Sequence, residues 1–270
     1  MNEKQNALVP EHQSHKISPE TNGFDIIQDI VIGTNCKYVK VLDKTVYALK
    51  EMIDHDSSIQ RLIDEYEIMR ELNHQNILKA YKIIINDKNF PPSILLEYCP
   101  TNLEQAIQNG TLSKVQKAFT IYQIAEGMKY LHLQRIVHQN LKPSKILISE
   151  CQTIKIGGFD KSQISNLKTP TNEEKLNEMA DIRAFGDIIY FILSGGKFTK
   201  IKNETVLEFF PLLAKQLVDA CWHVDSQSGP TFEIICDVLE KNNFNLVSLS
   251  QQEIQEVSQM IVEYKELISI

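Results

Sequence analysis

The sequence predicts an α+β fold, with a small β-rich N-terminal part that carries one helix and a larger, mainly helical C-terminal part. Three observations lead to this prediction. Runs of β-branched and aromatic residues fall largely before residue 100. Within that part, only residues 57–74 place apolar side chains at helical spacing. Beyond residue 100 the helical spacing dominates, with one short β-like interruption.

The β-like runs come in two pairs around the helix. FDIIQDIVIG and KYVKVLDKTVYALK form the first pair, with a turn expected at Asp43-Lys44. ILKAYKIIIN and SILLEYC form the second pair, separated by a polar loop and two prolines. Between the pairs, the apolar residues of SSIQRLIDEYEIMRELNH recur every three or four positions, at Ile59, Leu62, Ile63, Tyr66, Met69 and Leu72. This spacing predicts an amphipathic helix packed against the strands.

The remainder of the chain reads as a series of helices. LSKVQKAFTIYQIAEGMKYLHLQRI has apolar residues on more than one face, as a buried helix does. The β-like segments KILI and TIKIGGF follow. MADIRAFGDIIYFILSGG, ETVLEFFPLLAKQLVDACW and TFEIICDVLEK are then predicted to be helical.

The C-terminal segment, residues 246–270, predicts one further amphipathic helix. Ser250 and Glu253 have the spacing of a capping box, in which each side chain bonds the backbone of the other residue. An apolar stripe follows at Ile254, Val257, Ile261, Tyr264 and Ile268. The stripe fits a helix packed on the body of the protein, and it also fits a short partner-binding helix.

Composition narrows the class of protein. The 270 residues carry a formal net charge of −7, which argues against general binding to nucleic acid or to an anionic membrane. No apolar run has the length of a membrane helix or a signal peptide, and residues 1–22 are expected to be a loose polar leader. The five scattered cysteines fit a reducing compartment, so a cytoplasmic location is expected.

An ordered series of motifs points to one family. The series is YALK ending at Lys50, Glu65 on the next helix, ILLEYC, VHQNLKPSKILI, IKIGGFD, DIRAFG and CWHVDSQSGPTF. It resembles the protein kinase domain, and its last motif resembles the tyrosine-kinase-like branch. The resemblance implies a bilobal kinase-like domain at residues 23–245, with an N-lobe at about 23–96 and a C-lobe at about 100–245.

The resemblance also implies a nucleotide site between the lobes. Lys50 would pair with Glu65 and reach the phosphates of ATP. Without the resemblance, Lys50 also fits a solvated lysine at a strand end, and Glu65 also fits the solvated face of a helix. Further residues implied for the nucleotide are Gly33 in the glycine loop, Val39 or Val41 with Ala48 over the ring, Leu96 at the gatekeeper position and Glu97 to Cys99 at the hinge.

The sequence departs from the family where the chemistry should occur. The general-base position holds Asn140, whose amide cannot accept a proton near neutral pH. A metal-binding asparagine is replaced by Lys145, and the metal-binding aspartate by Gly158. Asp160, two residues later, either swings inward as a metal ligand or stays a solvated loop carboxylate. Mg²⁺ is therefore expected to bind weakly or not at all.

Two other features of the family are reduced. The glycine-rich loop keeps only its first glycine. Only 21 positions separate Asp160 from Asp181, and no A-P-E motif lies between them. Gly229, before Pro230, stands where the family has the arginine partner of that glutamate. Loss of both partners of a buried ion pair fits a folded domain that has no peptide platform.

Three hypotheses follow for the function. The leading one is a pseudokinase that acts as a signalling or scaffold module, binds ATP weakly and uses its lobes or C-terminal helix for protein partners. The second is a weak Ser/Thr kinase of the tyrosine-kinase-like branch that uses Lys50, Lys142 and Asp160. The third is a structural remnant with a closed cleft. In the first hypothesis Lys50, Lys142 and Lys145 together would meet the charge of a metal-free triphosphate. The sequence leaves the oligomeric state open.

Overall fold

A computed structural model describes eight stretches of the chain: residues 25–32, 36–43, 45–52, 59–85, 91–165, 172–196, 208–224 and 229–268. The predicted leader at residues 1–22 and Gly33 of the glycine loop lie outside them. Within these stretches, no helix has the length and apolar character needed to cross a membrane.

The N-terminal region is an antiparallel five-stranded sheet with one helix packed against it. Its strands are β1 (Asp25–Ile32), β2 (Cys36–Asp43), β3 (Thr45–Met52), β4 (Ala80–Ile84) and β5 (Ser93–Glu97), in the order β1-β2-β3-β5-β4. The helix α1 (Ile59–Arg70) buries Leu62, Glu65, Ile68 and Met69. The predicted β-rich part with one helix is thus confirmed.

The two faces of this sheet pack differently. Ala48 and Leu96 lie opposite each other and belong to the main core, toward the helical region. Val41, Leu49 and Leu95 form a separate small cluster. Alternation along a strand sends successive side chains to opposite faces, so Ala48 and Lys50 share the face that looks toward the helical region.

The C-terminal region is mainly helical. Its helices are α2 (Leu103–Gln108), α3 (Lys114–Leu133), α4 (Asn172–Leu193), α5 (Leu212–Trp222), α6 (Phe232–Lys241) and α7 (Gln251–Ile268). One short strand, β6 (Thr101–Asn102), precedes α2, and four lie between α3 and α4, namely β7 (Ile136–Val137), β8 (Ile146–Ile148), β9 (Ile154–Ile156) and β10 (Gln163–Ile164). A short 3-10 helix, Pro143–Lys145, precedes β8. The predicted α+β architecture is confirmed.

Two local features differ from the sequence prediction. Of the helix expected over ETVLEFFPLLAKQLVDACW, residues 204–207 lie outside the described stretches, Glu208–Phe210 form a turn, and a helix begins at Leu212 directly after Pro211. Helix α2 was not predicted. Asn102 caps it by accepting a hydrogen bond from the Gln105 N–H at 3.0 Å. Because Asn is a preferred N-cap residue, Asn102 could have indicated the start of this helix.

Helix α7 packs on α3, and its capping box is present. Ser250 N–H donates to Glu253 Oε2 at 2.8 Å, and Glu253 N–H donates to Ser250 Oγ at 3.3 Å. Val257, Ile261 and Tyr264 from the apolar stripe are buried in the main core. Each fully buried apolar side chain stabilises the fold by roughly 1.5–3 kcal/mol. The expectation that the stripe docks on the protein's own helical region is met by these three residues.

A buried polar contact ties α7 to the segment after α1. The Tyr264 hydroxyl donates to Asn76 Oδ1 at 2.5 Å. The amide nitrogen of Asn76 donates to Gln123 Oε1 at 3.0 Å and to the Ile154 carbonyl at 2.9 Å. Every polar atom of this buried side chain is thereby used, so loss of one partner leaves an unsatisfied group.

Tyr264→Phe should therefore lower the free energy of unfolding by about 1–3 kcal/mol, because it leaves Asn76 Oδ1 buried without a donor. Urea unfolding followed by circular dichroism measures the change. Val262→Ala on the exposed side of the same helix is the matched control and should change stability by less than about 0.5 kcal/mol. Equal losses for the two variants would show that the hydroxyl contributes nothing.

Candidate functional site

The clearest charged pair at the junction of the two regions is Lys50 with Glu65. Lys50 lies on β3 and Glu65 on α1, and Lys50 Nζ lies 2.5 Å from Glu65 Oε2. Both side chains are only 4% exposed. Buried charges are tolerated when they are paired, so each residue holds the other in place. The predicted ion pair is confirmed.

The segment VHQNLKPSKILI, one of the motifs named above, is anchored by one carboxylate. Asp181, 1% exposed on α4, accepts hydrogen bonds from the backbone N–H groups of His138 at 2.7 Å and Gln139 at 2.8 Å. His132 Nε2 lies 3.1 Å from the same carboxylate. Gln139 has a φ of +57°, a conformation that few non-glycine residues adopt. The two hydrogen bonds hold the loop in this strained turn.

His138 is buried and neutral. Its Nδ1 accepts from the Asn140 N–H at 3.2 Å, so its Nε2 carries the proton and donates to the Gly157 carbonyl at 3.1 Å. Burial lowers the pKa of His138 below its usual 6.5, which fits this neutral form. Its ring packs at 5.2 Å from the ring of Phe159, and Met69 belongs to the same core. Asp181, His138 and Phe159 are therefore brought together beside the central part of this segment.

We call Lys50, Glu65, Asn140, Lys145, Gly158 and Asp160 the central site. Within it, Asp160 Oδ1 lies 3.4 Å from the amide nitrogen of Asn140 and 3.8 Å from Lys145 Nζ. The Lys145 side chain is 25% exposed and that of Asp160 is 36% exposed. The displaced carboxylate thus faces an amide donor and an ammonium group.

Lys145 and Gly158 are in direct steric contact. Gly158 has a φ of +82°, and a Cβ placed on it would lie 2.5 Å from Lys145 Cδ and 3.1 Å from Lys145 Nζ. Carbon atoms do not approach this closely, so the lysine chain occupies the space that any side chain at position 158 would need. The two replacements fit each other.

The central site does not fit a divalent metal ion. The two carboxylates already face cations or an amide donor, and Lys145 Nζ sits where a side chain at 158 would extend. An ammonium group cannot ligate Mg²⁺ and repels it. Among the described residues, no three His, Cys, Asp or Glu side chains are grouped as a metal site.

The residues predicted to hold the nucleotide base are placed as follows. Leu96 is buried beside Ala48, and Cys99 is buried, which raises the pKa of its thiol to about 12 and keeps it uncharged. The backbone N–H of Glu97 donates to the Lys79 carbonyl at 2.9 Å, and its side chain pairs with Lys155 at 3.0 Å. The Glu97 N–H is therefore not free to bind an adenine.

The prediction that Val39 or Val41 covers the ring is wrong for Val41. The strand register places Lys40, and not a valine, opposite Ala48, while Val41 belongs to the cluster with Leu49. Val39 is paired with Leu49 along the backbone, and its side chain is not among those described. Because side chains alternate, a shift of one residue moves the whole set to the other face.

Two features of the site were missed by sequence reasoning. Lys40 lies on the inner face of β2, and its ammonium group is 4.4 Å from the centre of the Tyr98 ring. Alternation counted from Ala48 and Lys50 could have identified it. The contact of Lys145 with Gly158 has no sequence signal. Lys142 is exposed beside the central site.

Comparison with known proteins gives the family. The model of the protein kinase domain matches residues 31–180, more than half of the chain. Integrin-linked protein kinase 1 of Arabidopsis thaliana is 28% identical over 249 residues, covering 75% of this chain and 50% of that protein.

Two further relatives are similar. Serine/threonine-protein kinase 12 of Arabidopsis thaliana is 25% identical over 278 residues, covering 86% of this chain and 58% of that protein. Extracellular signal-regulated kinase 2 of Dictyostelium discoideum is 31% identical over 144 residues, covering 50% of this chain and 39% of that protein. The chain thus spans less than two thirds of the length of these curated relatives. With the β-rich and helical regions, the Lys50–Glu65 pair and the anchored loop in place, the chain belongs to the protein kinase domain family.

Proposed function

We propose that this chain is a pseudokinase of the tyrosine-kinase-like branch, a signalling or scaffold module that binds ATP weakly and does not transfer phosphate. The observation that carries the proposal is the contact between Lys145 and Gly158, which fills the region of the central site needed for metal ligands. Around it the fold and the Lys50–Glu65 pair are kept.

Phosphoryl transfer needs charge neutralisation and an oriented nucleophile. Asn140 supplies no base, and loss of a general base typically costs about 10²- to 10⁴-fold in rate. Loss of each preorganised electrostatic group costs about 10²- to 10³-fold more. Such losses do not simply add, but together they leave no efficient route to transfer.

The lysine side chains of the central site and its neighbourhood support the proposal of ATP binding. In this proposal Lys50, held by Glu65, binds the phosphates, and Lys142 and Lys145 add positive charge. The changed glycine loop and the occupied N–H of Glu97 reduce the contacts, so the expected dissociation constant is micromolar to millimolar, about −8 to −4 kcal/mol. Protein partners would bind the lobes or α7, in the cytoplasm, and neither nucleic acid nor membrane is a proposed partner.

A weak Ser/Thr kinase is the second candidate, and the position of Asp160 favours it. Its carboxylate lies 3.4 Å from the Asn140 amide, beside the general-base position. In this alternative Asp160 accepts the substrate proton and Lys50 and Lys142 hold the phosphates. A relative named for serine/threonine kinase activity, serine/threonine-protein kinase 12, is compatible with it.

A phosphotransfer assay distinguishes the pseudokinase from the weak Ser/Thr kinase. The purified chain with labelled ATP and Mg²⁺ should label neither itself nor generic Ser/Thr substrates, because Asn140, Lys145 and Gly158 supply no base and no metal ligand. The assay should be run where circular dichroism shows both the wild type and Lys50→Met to be folded. Clear autophosphorylation that Lys50→Met abolishes would establish the weak kinase instead.

A further inference from the structure

The side chain of Lys145 has a fixed place in the central site. Its stem lies against Gly158, where a Cβ would be 2.5 Å from Cδ and 2.9 Å from Cε. Its ammonium group lies 3.8 Å from Asp160 Oδ1. A side chain at position 158 would overlap the lysine as it lies here, so glycine leaves the room that Lys145 occupies.

The charged groups around Lys145 are of both signs. Burial lowers the pKa of Lys145, the charges of Asp160 and Glu65 act to raise it, and those of Lys50 and Lys142 act to lower it. Two further lysines therefore act on Lys145. A group of cations that repel one another is stabilised by an anion bound among them.

We infer that Lys145 takes the place of the divalent cation, so that the central site binds nucleoside triphosphate in its metal-free form and Mg²⁺ opposes binding. This inference rests on the proposed function and names the form of ligand that the same site takes. The ammonium group binds the phosphate oxygens that Mg²⁺ would otherwise coordinate. Mg²⁺ bound beside this ammonium group would be repelled by it, and the repulsion is stronger in a partly buried site than in bulk water.

Asp160 has a defined part in this arrangement. In the unliganded protein its carboxylate is the counter-ion of Lys145 and accepts from the Asn140 amide. When a triphosphate arrives, the ammonium group exchanges this half-exposed carboxylate for phosphate oxygens. Asp160 is thus a positioning residue for Lys145 and not a metal ligand.

Isothermal titration of the whole chain with ATP tests the inference. The titration is done once in excess EDTA and once in excess MgCl₂, at matched ionic strength because phosphate contacts are screened by salt. The dissociation constant should be at least about tenfold lower in EDTA, a difference of about 1.4 kcal/mol. Equal or tighter binding in MgCl₂ would overturn the inference, and so would the absence of binding in both buffers.

Lys145→Met identifies the group responsible, since methionine keeps an unbranched apolar stem beside Gly158 and removes the charge. Binding in EDTA should weaken by about tenfold or more, and the opposing effect of Mg²⁺ should disappear. Lys215→Met, at an exposed lysine of α5, is the matched control and should behave as the wild type. If Lys145→Met binds as the wild type does in both buffers, the assignment to Lys145 is overturned.

The result is separable from the proposed function. Tighter binding with Mg²⁺ would remove the inference and leave a module without phosphotransfer standing, because that proposal is tested by transfer to protein. If Lys145→Met does not fold, which its melting curve shows, the comparison of EDTA with MgCl₂ on the wild type still decides.

Discussion

Lys50→Met should lower the free energy of unfolding by about 3–5 kcal/mol at neutral pH. The substitution leaves the Glu65 carboxylate, 4% exposed, without the ammonium group that lies 2.5 Å from it. A buried carboxylate without a partner must stay charged in an apolar site or take up a proton, and both are unfavourable near pH 7. Urea unfolding measured by circular dichroism gives the difference.

The loss should shrink as the pH is lowered, because a carboxylate takes up a proton more easily in acid. The double variant Lys50→Met/Glu65→Leu should recover most of the stability, since it removes both charges together. Lys241→Met, which removes one end of an exposed ion pair with Asp237, is the control and should change stability by less than about 1 kcal/mol. A pH-independent loss, or a double variant as unstable as the single one, would contradict this interpretation of the pair.

Asp181→Ala should be almost as damaging, with a loss of about 2–5 kcal/mol. The substitution removes the acceptor for the His138 and Gln139 N–H groups, and each buried donor left unpaired costs about 1–3 kcal/mol. It also releases the strained turn at Gln139, whose φ is +57°. Thermal and urea unfolding both report the loss.

Asp181→Asn separates the hydrogen bonds from the size of the side chain. Its one oxygen accepts from one N–H, while its amide nitrogen faces the other, so the loss should lie between those of the wild type and Asp181→Ala. Asp219→Ala, at an aspartate 65% exposed on α5, should have little effect. Equal stability of Asp181→Ala and Asp219→Ala would show that the carboxylate does not anchor the loop.

Much of the fold was predictable because the spacing of apolar residues along the chain indicates helices. Residues 57–74 have apolar side chains at helical spacing, and α1 forms there. The capping box at Ser250 and Glu253 marked the start of α7. Helix α5 shows the limit, since the apolar residues on both sides of Pro211 suggested one continuous helix, whereas α5 begins after the proline and Glu208–Phe210 form a turn.

The central site was predictable in its charges and not in its contacts. The order of motifs was enough to pair Lys50 with Glu65, and their ion pair is confirmed. The role of this pair toward a nucleotide stays a prediction. The mutual fit of Lys145 and Gly158 depends on the backbone turn at Gly158 and on the pairing of β8 with β9, which brings the two positions together, so no pattern in either segment alone reveals it.

The face of β2 was assigned wrongly for a simple physical reason. Side chains alternate, so a difference of one position in the register exchanges Val41 for Lys40 on the inner face. The backbone pairing of Lys40 with Ala48 identifies the residue on the inner face of β2.

ATP consumption under single-turnover conditions tests most directly the central claim that this protein kinase domain has lost its phosphotransfer chemistry. With the protein in excess over labelled ATP and with Mg²⁺ present, ADP formation to any acceptor, water included, is measured against the same protein in EDTA. We expect no difference between the two, because Asn140, Lys145 and Gly158 leave neither a base nor a metal ligand. A Mg²⁺-dependent rise in ADP that Asp160→Asn abolishes would contradict this and show that the displaced carboxylate supports catalysis.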